Sequence, residues 1–366
     1  MRQSNYRRIV VKVGSNVLTR ADATLDVTRI SALVDQLAEL HRAGVEVVLV
    51  SSGAVASGRS ELRGLARKLD SVSARQLFSA VGQAKLVNRY YDLFRDQQIV
   101  CGQVLTTKES LSTRGHYLNQ RNCMRVMLDH GVIPIVNEND TISVSELMFT
   151  DNDELSGMIS TMMGAEALII LSNIDGVYNG NPADPASSVI REIRPEERDI
   201  SAYVQARGSQ FGRGGMLTKS RIAAKVADEG VEVIIANGRR DGILTDLVLG
   251  GEQAAEVVCT RYVPSSHPIP AVRKWIAHSE GFAKGEIHIN EGALEALLQP
   301  KATSLLPVGV ERIEGDFEKD DIVRIVAPSG EVIGVGRVSA DSARARQSAG
   351  RKGGRPLIHY DYLYLE

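Results

Sequence analysis

A chain of 366 residues exceeds one ordinary core and implies two domains. Its 43% hydrophobic and 24% charged residues are those of a soluble globular protein, and a formal net charge of −2 points to neither nucleic acid nor an anionic membrane. Three distant cysteines (Cys101, Cys123, Cys259) give no disulfide framework or metal spacing and read as small core residues; with no signal or membrane run in the polar N-terminus, a cytoplasmic location and no membrane partner are expected.

In chain order, Arg8–Val13 (RIVVKV) predicts a strand covered on both faces. Lys12 interrupts it just before Gly14-Ser15-Asn16. Either it is a solvated lysine on an edge strand, or it is a desolvated cation that needs an anion. The second reading is preferred, because ligands of α/β sheets bind beyond the carboxyl ends of the strands. Asp26–Ala43 carries Ile30, Leu33, Val34, Leu37 and Leu40 at helical spacing and stops at Gly44. Val45–Val50 is the next strand and ends in Ser51-Ser52-Gly53-Ala54. Ser73–Arg95 reads as helix, Ile99–Leu105 as strand, and Arg114–His130 as a helix closed by Gly131. Val132–Val136 is a fourth strand, ending in Asn137-Glu138-Asn139-Asp140. This alternation predicts an α/β fold, a mostly parallel open sheet sandwiched by helices.

Asp151-Asn152-Asp153 stands just before a helix running to about Met163. Capping explains one such residue; three suggest a ligand or a charge-relay role. Ala167–Leu171 is a fifth strand, ending in Ser172-Asn173, and Asn179–Ser188 is a surface loop of Asn, Pro and Asp. Gly208–Lys225 (GSQFGRGGMLTKSRIAAK) then runs small residues and Gly212, Gly214 and Gly215 into a helical pattern. A glycine-rich lead-in to a helix start suits a phosphate, with Lys219 one turn in; a plain flexible loop is the competing reading, since the P-loop spacing is absent. Val231–Ala236 is a strand, followed by a short helix near Leu244–Leu249.

Around Val258–Ala271 the chain becomes proline-rich and reads as a linker. The boundaries expected are 1–258 for the first domain, 259–276 for the linker and 277–366 for the second. The second holds short strands (Gly285–Asn290, Ser304–Val310, Ile322–Val326, Val332–Val338, Leu357–Leu363) and one short helix, Gly292–Leu298, and predicts a small β-barrel. Arg344, Arg346, Arg351, Lys352 and Arg355 form a basic segment. It reads as a solvated loop rather than a nucleic-acid surface, because no aromatics are interleaved, so an RNA partner is not expected.

The motifs VKVGS (Val11–Ser15), SSGA (Ser51–Ala54), NEND (Asn137–Asp140), DND (Asp151–Asp153), DGVY (Asp175–Tyr178) and GGMLTK (Gly214–Lys219) occur in that order. Together they resemble the glutamate-phosphorylating branch of the amino acid kinase family. GEIHINEGA (Gly285–Ala293) resembles the PUA domain appended to those enzymes. Each motif alone is modest, but six in order plus the tail domain span nearly the whole chain.

The resemblance implies transfer of phosphate from ATP, with Mg²⁺, to the γ-carboxylate of L-glutamate, the first step toward proline. It places Lys12, Asp151, Asp153 and Lys219 in the catalytic set, with the lysines on the phosphates, the acids organising them, and Mg²⁺ held mainly by phosphate and water. Ser52, Asp140 and Asn152 match glutamate-binding positions. Lys12, Gly14, Ser172, Asn173, Arg213, Gly214, Gly215, Met216 and Lys219 match nucleotide-binding positions, although Asn173 stands where the family carries an acid and Arg213 where it carries threonine. The resemblance also implies a homo-oligomer, a glutamyl phosphate reductase as partner and proline as feedback inhibitor. Family members acting on acetylglutamate, aspartate or carbamate differ: they carry a Gly-Gly pair after the first lysine, where this chain has Gly14-Ser15, and lack the tail domain. An RNA-binding protein with a kinase scaffold is the rival from another class, opposed by the presence of Lys12, Asp153 and Lys219 and by the net charge.

Overall fold

The RIVVKV stretch forms β1 (Arg8–Val13) in the middle of an eight-stranded sheet. The computed structural model describes residues 4–22, 24–62, 69–108, 111, 114–142, 152–198, 215–266, 276, 283–299 and 303–365. The remaining strands are β2 (Glu46–Ser51), β3 (Cys101–Thr106), β4 (Ile133–Glu138), β5 (Ala167–Ser172), β6 (Glu192–Ile193), β7 (Glu232–Asn237) and β8 (Thr260–Tyr262). Their order is β3-β4-β2-β1-β5-β7-β8-β6, and every pair is parallel except β7 with β8. With β2 on one side and β5 on the other, β1 is no edge strand, which removes the solvated reading of Lys12. The chain runs outward from β1 to β2 and later returns to β1's other side at β5, so the order reverses there, as it does at the ligand crevice of open α/β sheets.

Strand alternation sorts the residues of β1 between two faces. Ile9, Val11 and Val13 join a core with Val47, Leu49, Ile169, Leu171 and Ile234. Helix α2 (Val27–Arg42) fills that core with Ile30, Leu33, Val34, Leu37 and Leu40, the stripe read from sequence; Asp26 caps its start and Gly44, at φ 85°, follows its end. Val10 and Lys12 point to the opposite face, where α6 (Asn152–Met163) lies against β1.

Periodicity misses two helices after strands. Ser15–Leu18 (α1) is only four residues long. Ala54–Glu61 (α3) has no apolar stripe because it packs by backbone contact against α4 (Ser71–Asp96). A Cβ on Gly58 would lie 1.8 Å from the Phe78 carbonyl oxygen, and one on Gly82 1.8 Å from that of Ala54. Among the cysteines, Cys259 is buried as expected, Cys101 is partly buried and Cys123 is exposed on α5 (Arg114–Asp129). The stretch read as a linker starts later than residue 259: Thr260–Tyr262 pairs with both β7 and β6, with Tyr262 fully buried. Three ordered residues before a proline are too few to show a period.

The chain divides into two compact units, one for each sheet. The second has β9 (Gly285–Ile289), β10 (Val310–Gly315), β11 (Ile322–Val326), β12 (Val332–Val338) and β13 (Ile358–Leu365) in the order β10-β9-β11-β12-β13, antiparallel except β9 with β11. Its core gathers Ile287, Ile289, Leu305, Val323, Ile325 and Ile358. The strand expected at Ser304–Val310 begins only at Val310, because Pro307 opens a 3₁₀ turn over Pro307–Gly309 and has no N–H for a ladder. The helix expected at Gly292–Leu298 spans Glu291–Leu298, capped by the Asn290 side chain. Part of the basic segment is also a helix rather than a loop: Asp341 caps Ser342–Ser348 through the Arg344 N–H, and Arg346 pairs with Asp316 at 3.2 Å. Among the described residues, no helix is long and apolar enough to cross a membrane.

Candidate functional site

Register brings five strand ends level. Val13 stands opposite Ser51 and Leu171, Val50 opposite Val136, and Ser172 opposite Asn237. Gly14, Ser52, Asn137 and Ser172 therefore line one edge of the sheet. Backbone bonds fix the loops that leave it: the Gly14 N–H to Leu171 at 3.3 Å, Ser52 to Val13 at 3.1 Å and Gly238 to Ser172 at 2.8 Å.

Lys12 is 4% exposed and its ammonium meets Asp153, which is wholly buried in the first turn of α6. Lys219 reaches the other oxygen of the same carboxylate, Oδ2, at 2.8 Å. It comes from α7 (Met216–Asp228), whose approach depends on Gly157. A Cβ there would lie 2.9 Å from Val226 and 3.1 Å from Ile222, so only glycine lets α6 and α7 close to this distance. Burial alone would push the Asp153 carboxyl up; the ammonium groups of Lys12 and Lys219 outweigh it and hold the carboxyl below the usual carboxylate range. The three groups carry a charge of +1 between them, which suits a further anion at the same point.

A second polar group adjoins this trio. Asn152 Nδ2 donates to Ser52 Oγ at 2.9 Å and to Asn137 Oδ1 at 3.0 Å, and Asn137 Nδ2 donates to Gln83 Oε1 at 2.7 Å. The donor side of Asn152 is thus already engaged. Its Oδ1 is buried with no hydrogen-bond partner among the described residues. Buried Asp140 accepts from Arg75 Nε at 2.9 Å and Nη2 at 2.6 Å, and from Ser79 Oγ at 3.2 Å. Arg75, Ser79 and Gln83 come from one face of α4, at i, i+4 and i+8. No motif marked them; the usable signal was a polar row at helical spacing.

The model for the "Amino acid kinase family" matches residues 7–237, and that for the "PUA domain" residues 285–357. The chain belongs to the amino acid kinase family, in its glutamate 5-kinase branch. It is 67% identical to a glutamate 5-kinase of Bacteroides thetaiotaomicron over 100% of both chains. It is 46% identical to one of Chlorobaculum tepidum, over 98% of each, and 39% identical to one of Trichlorobacter lovleyi, over 98% of this chain and 96% of that one. The structure titled "Carbamate kinase from Giardia lamblia bound to AMP-PNP" shares the fold, with a TM-score of 0.51 at 17% identity, covering 72% of this chain and 100% of that one.

Gly215 precedes α7 as its N-cap, in an extended conformation with no side-chain cap. The first-turn N–H groups from Gly215 and Met216 onward and Lys219 thus lie in one turn. Ser172 is buried at the end of β5 and Asn173 follows it. Two residues on, Asp175 accepts from Asn237 Nδ2 at 2.9 Å and from the Tyr178 hydroxyl at 3.1 Å, so the DGVY acid ties the β5 loop to the end of β7. Asp151, Arg213 and Gly214 lie outside the described residues. Burial pushes the Cys101 thiol up to about 11 and raises that of Cys259, which disfavours either of these two as a nucleophile.

Ligand atoms of Glu286, His288 and Glu314 in the second unit come within 4.8 Å of one another, close enough to hold a metal ion. Arg324 stands 3.3 Å from Glu286 and Arg312 2.5 Å from Glu314, so both carboxylates are already neutralised and the cluster is an ion-pair network.

Proposed function

We propose that this chain transfers the γ-phosphoryl group of ATP to the γ-carboxylate of L-glutamate, giving L-glutamyl 5-phosphate, the first step of proline biosynthesis. The observation that carries the reading is the convergence of Lys12 and Lys219 on buried Asp153 at the carboxyl edge of the sheet. A carboxylate is ionised at neutral pH, so its oxygen attacks the γ-phosphorus without a general base, and the bond to the β-phosphate oxygen breaks to leave ADP. Two anions must be held in line while charge spreads over the transferring group. Lys12 and Lys219 supply the positive charge, and Asp153 fixes both ammonium groups before substrates arrive. The glycine-led start of α7 and the Ser172-Asn173 turn receive the nucleotide; Ser52, Asn152 and Asp140 receive glutamate.

The donor set fits Mg²⁺ in one way. Both Asp153 oxygens are committed to lysines, so phosphate oxygens and water would hold the ion, with Asp151 as support. When bound, it neutralises phosphate charge. The product is an acyl phosphate, labile in water, so a reductase that consumes it belongs to the same proposal, as do feedback by proline, self-association and a reducing cytoplasmic location.

The test is ADP release by purified protein at millimolar glutamate with Mg²⁺, beside aspartate and acetylglutamate and with and without proline. Glutamate-dependent turnover that proline suppresses is expected. Turnover with aspartate or acetylglutamate but not glutamate overturns the reading.

A further inference from the structure

We infer that Arg75 reads the α-carboxylate of the amino-acid substrate while Asp140 takes its α-ammonium, so that the pair recognises a zwitterion. The inference rests on the function proposed above. Asp140 is nearly inaccessible, with its side chain 8% exposed, whereas the Arg75 side chain is 37% exposed. Both guanidinium contacts, from Nε and Nη2, fall on a single oxygen, Oδ1, and the other oxygen has only the Ser79 hydroxyl at 3.2 Å. Nη1 takes no part in these contacts, and a guanidinium is a planar fork matched to a carboxylate. Arg75 is also held near a second acid, with Nη2 3.6 Å from Glu138 Oε2.

The frame around this pair is fixed. Gln76 Nε2 donates to the Thr141 carbonyl at 2.9 Å and Gln83 accepts from Asn137, so α4 is tied to the NEND segment on both sides of Asp140. In the same network, Asn152 Oδ1 is a buried acceptor without a partner among the described residues, which calls for a donor ligand. An ammonium suits the Asp140 carboxylate. An ammonium beside Asp140 competes with Arg75 for the same carboxylate oxygen, and a carboxylate carried on the same ligand gives the guanidinium a partner in exchange. The site therefore selects free α-amino acids over amines, diacids and N-acylated analogues.

Kinetics of the full chain and of Arg75→Gln and Arg75→Lys, with melting temperatures as a folding check, test this. L-glutamate is compared with two competitors that keep the amine and γ-carboxylate but lack a charged α-carboxylate, 4-aminobutyrate and the α-amide of glutamate. In Arg75→Gln the glutamate KM is expected to rise by about 10- to 100-fold, with the ATP KM within about twofold, as for a lost charge-assisted bond. The inhibition constants of both competitors should stay within about threefold, and Arg75→Lys should recover part of the loss. An unchanged glutamate KM, or equal weakening of glutamate and both competitors, overturns the inference, the second result marking Arg75 as a structural counter-ion of Asp140. Absence of glutamate-dependent ADP release in the unaltered chain instead overturns the proposed reaction itself, so the two failures are distinct.

Discussion

Asp153 gathers two lysines that lie 207 positions apart in the chain, and each member of the trio is expected to fail differently. Lys219→Ala removes a contact that strengthens as phosphate charge develops. It is expected to lower kcat by about 10²–10³-fold with little change in melting temperature, as loss of one preorganised donor does; a rise in KM at constant kcat would contradict the assignment. Asp153→Asn leaves Lys12 buried without its anion, so a loss of about 3–5 kcal/mol in urea unfolding is expected. The pH dependence follows from the same carboxylate. Its folded value lies below its unfolded one, so between them the unfolded chain binds the extra proton and stability rises with pH. The contribution is complete above the ordinary carboxylate value near ~4 and is lost as pH falls through the depressed folded value. Melting curves against pH should therefore steepen in acid for the unaltered chain, and Asp153→Asn should flatten that part of the profile.

At the scale of elements, helix spacing decides whether those side chains meet. Gly157 follows Asp153 by one turn, and Ile222 and Val226 follow Lys219 by about one and two. Gly157→Val should force α6 and α7 apart and draw Lys219 off the carboxylate. Since misplacement by about 1 Å can cost about 10²-fold, a kcat loss of that order is expected. Gly157→Val with wild-type kcat would show that the helix approach does not set the site. The same physics hides α3 and the Arg75–Ser79–Gln83 row from a reading of hydrophobic periods. Close backbone packing needs glycine rather than a stripe of large apolar residues, and buried polar rows have no apolar signature.

At the scale of the whole molecule, two sheets have two cores, and unfolding should report both. Ile325→Ala, in the fully buried core of the second unit, is expected to cost that unit about 2–5 kcal/mol. ATP at 100 times its dissociation constant should stabilise the unit holding Lys12 by about 2.7 kcal/mol. Calorimetry checks both, because each change should move one transition and leave the other in place; a single transition shifted by both would reject the separation.

The sequence by itself determined the position and type of β1 to β5 and β7 and the kinase and tail modules, and it singled out Lys12, Asp153 and Lys219. Those features are local: continuous apolar runs, glycines at helix starts, and charged residues placed where an apolar run ends. What only the tertiary structure decided is which partner each polar group meets. The central position of β1 turned Lys12 from a possible surface lysine into a buried cation. Helix approach through Gly157 seated Lys219 on Asp153, and α4 delivered Arg75 to Asp140 across 65 residues of chain. A short polar segment carries no record of its distant neighbours, because the energy that selects its conformation is contributed by contacts absent from its own sequence; β6, β8 and the Ser342–Ser348 helix escaped notice for that reason.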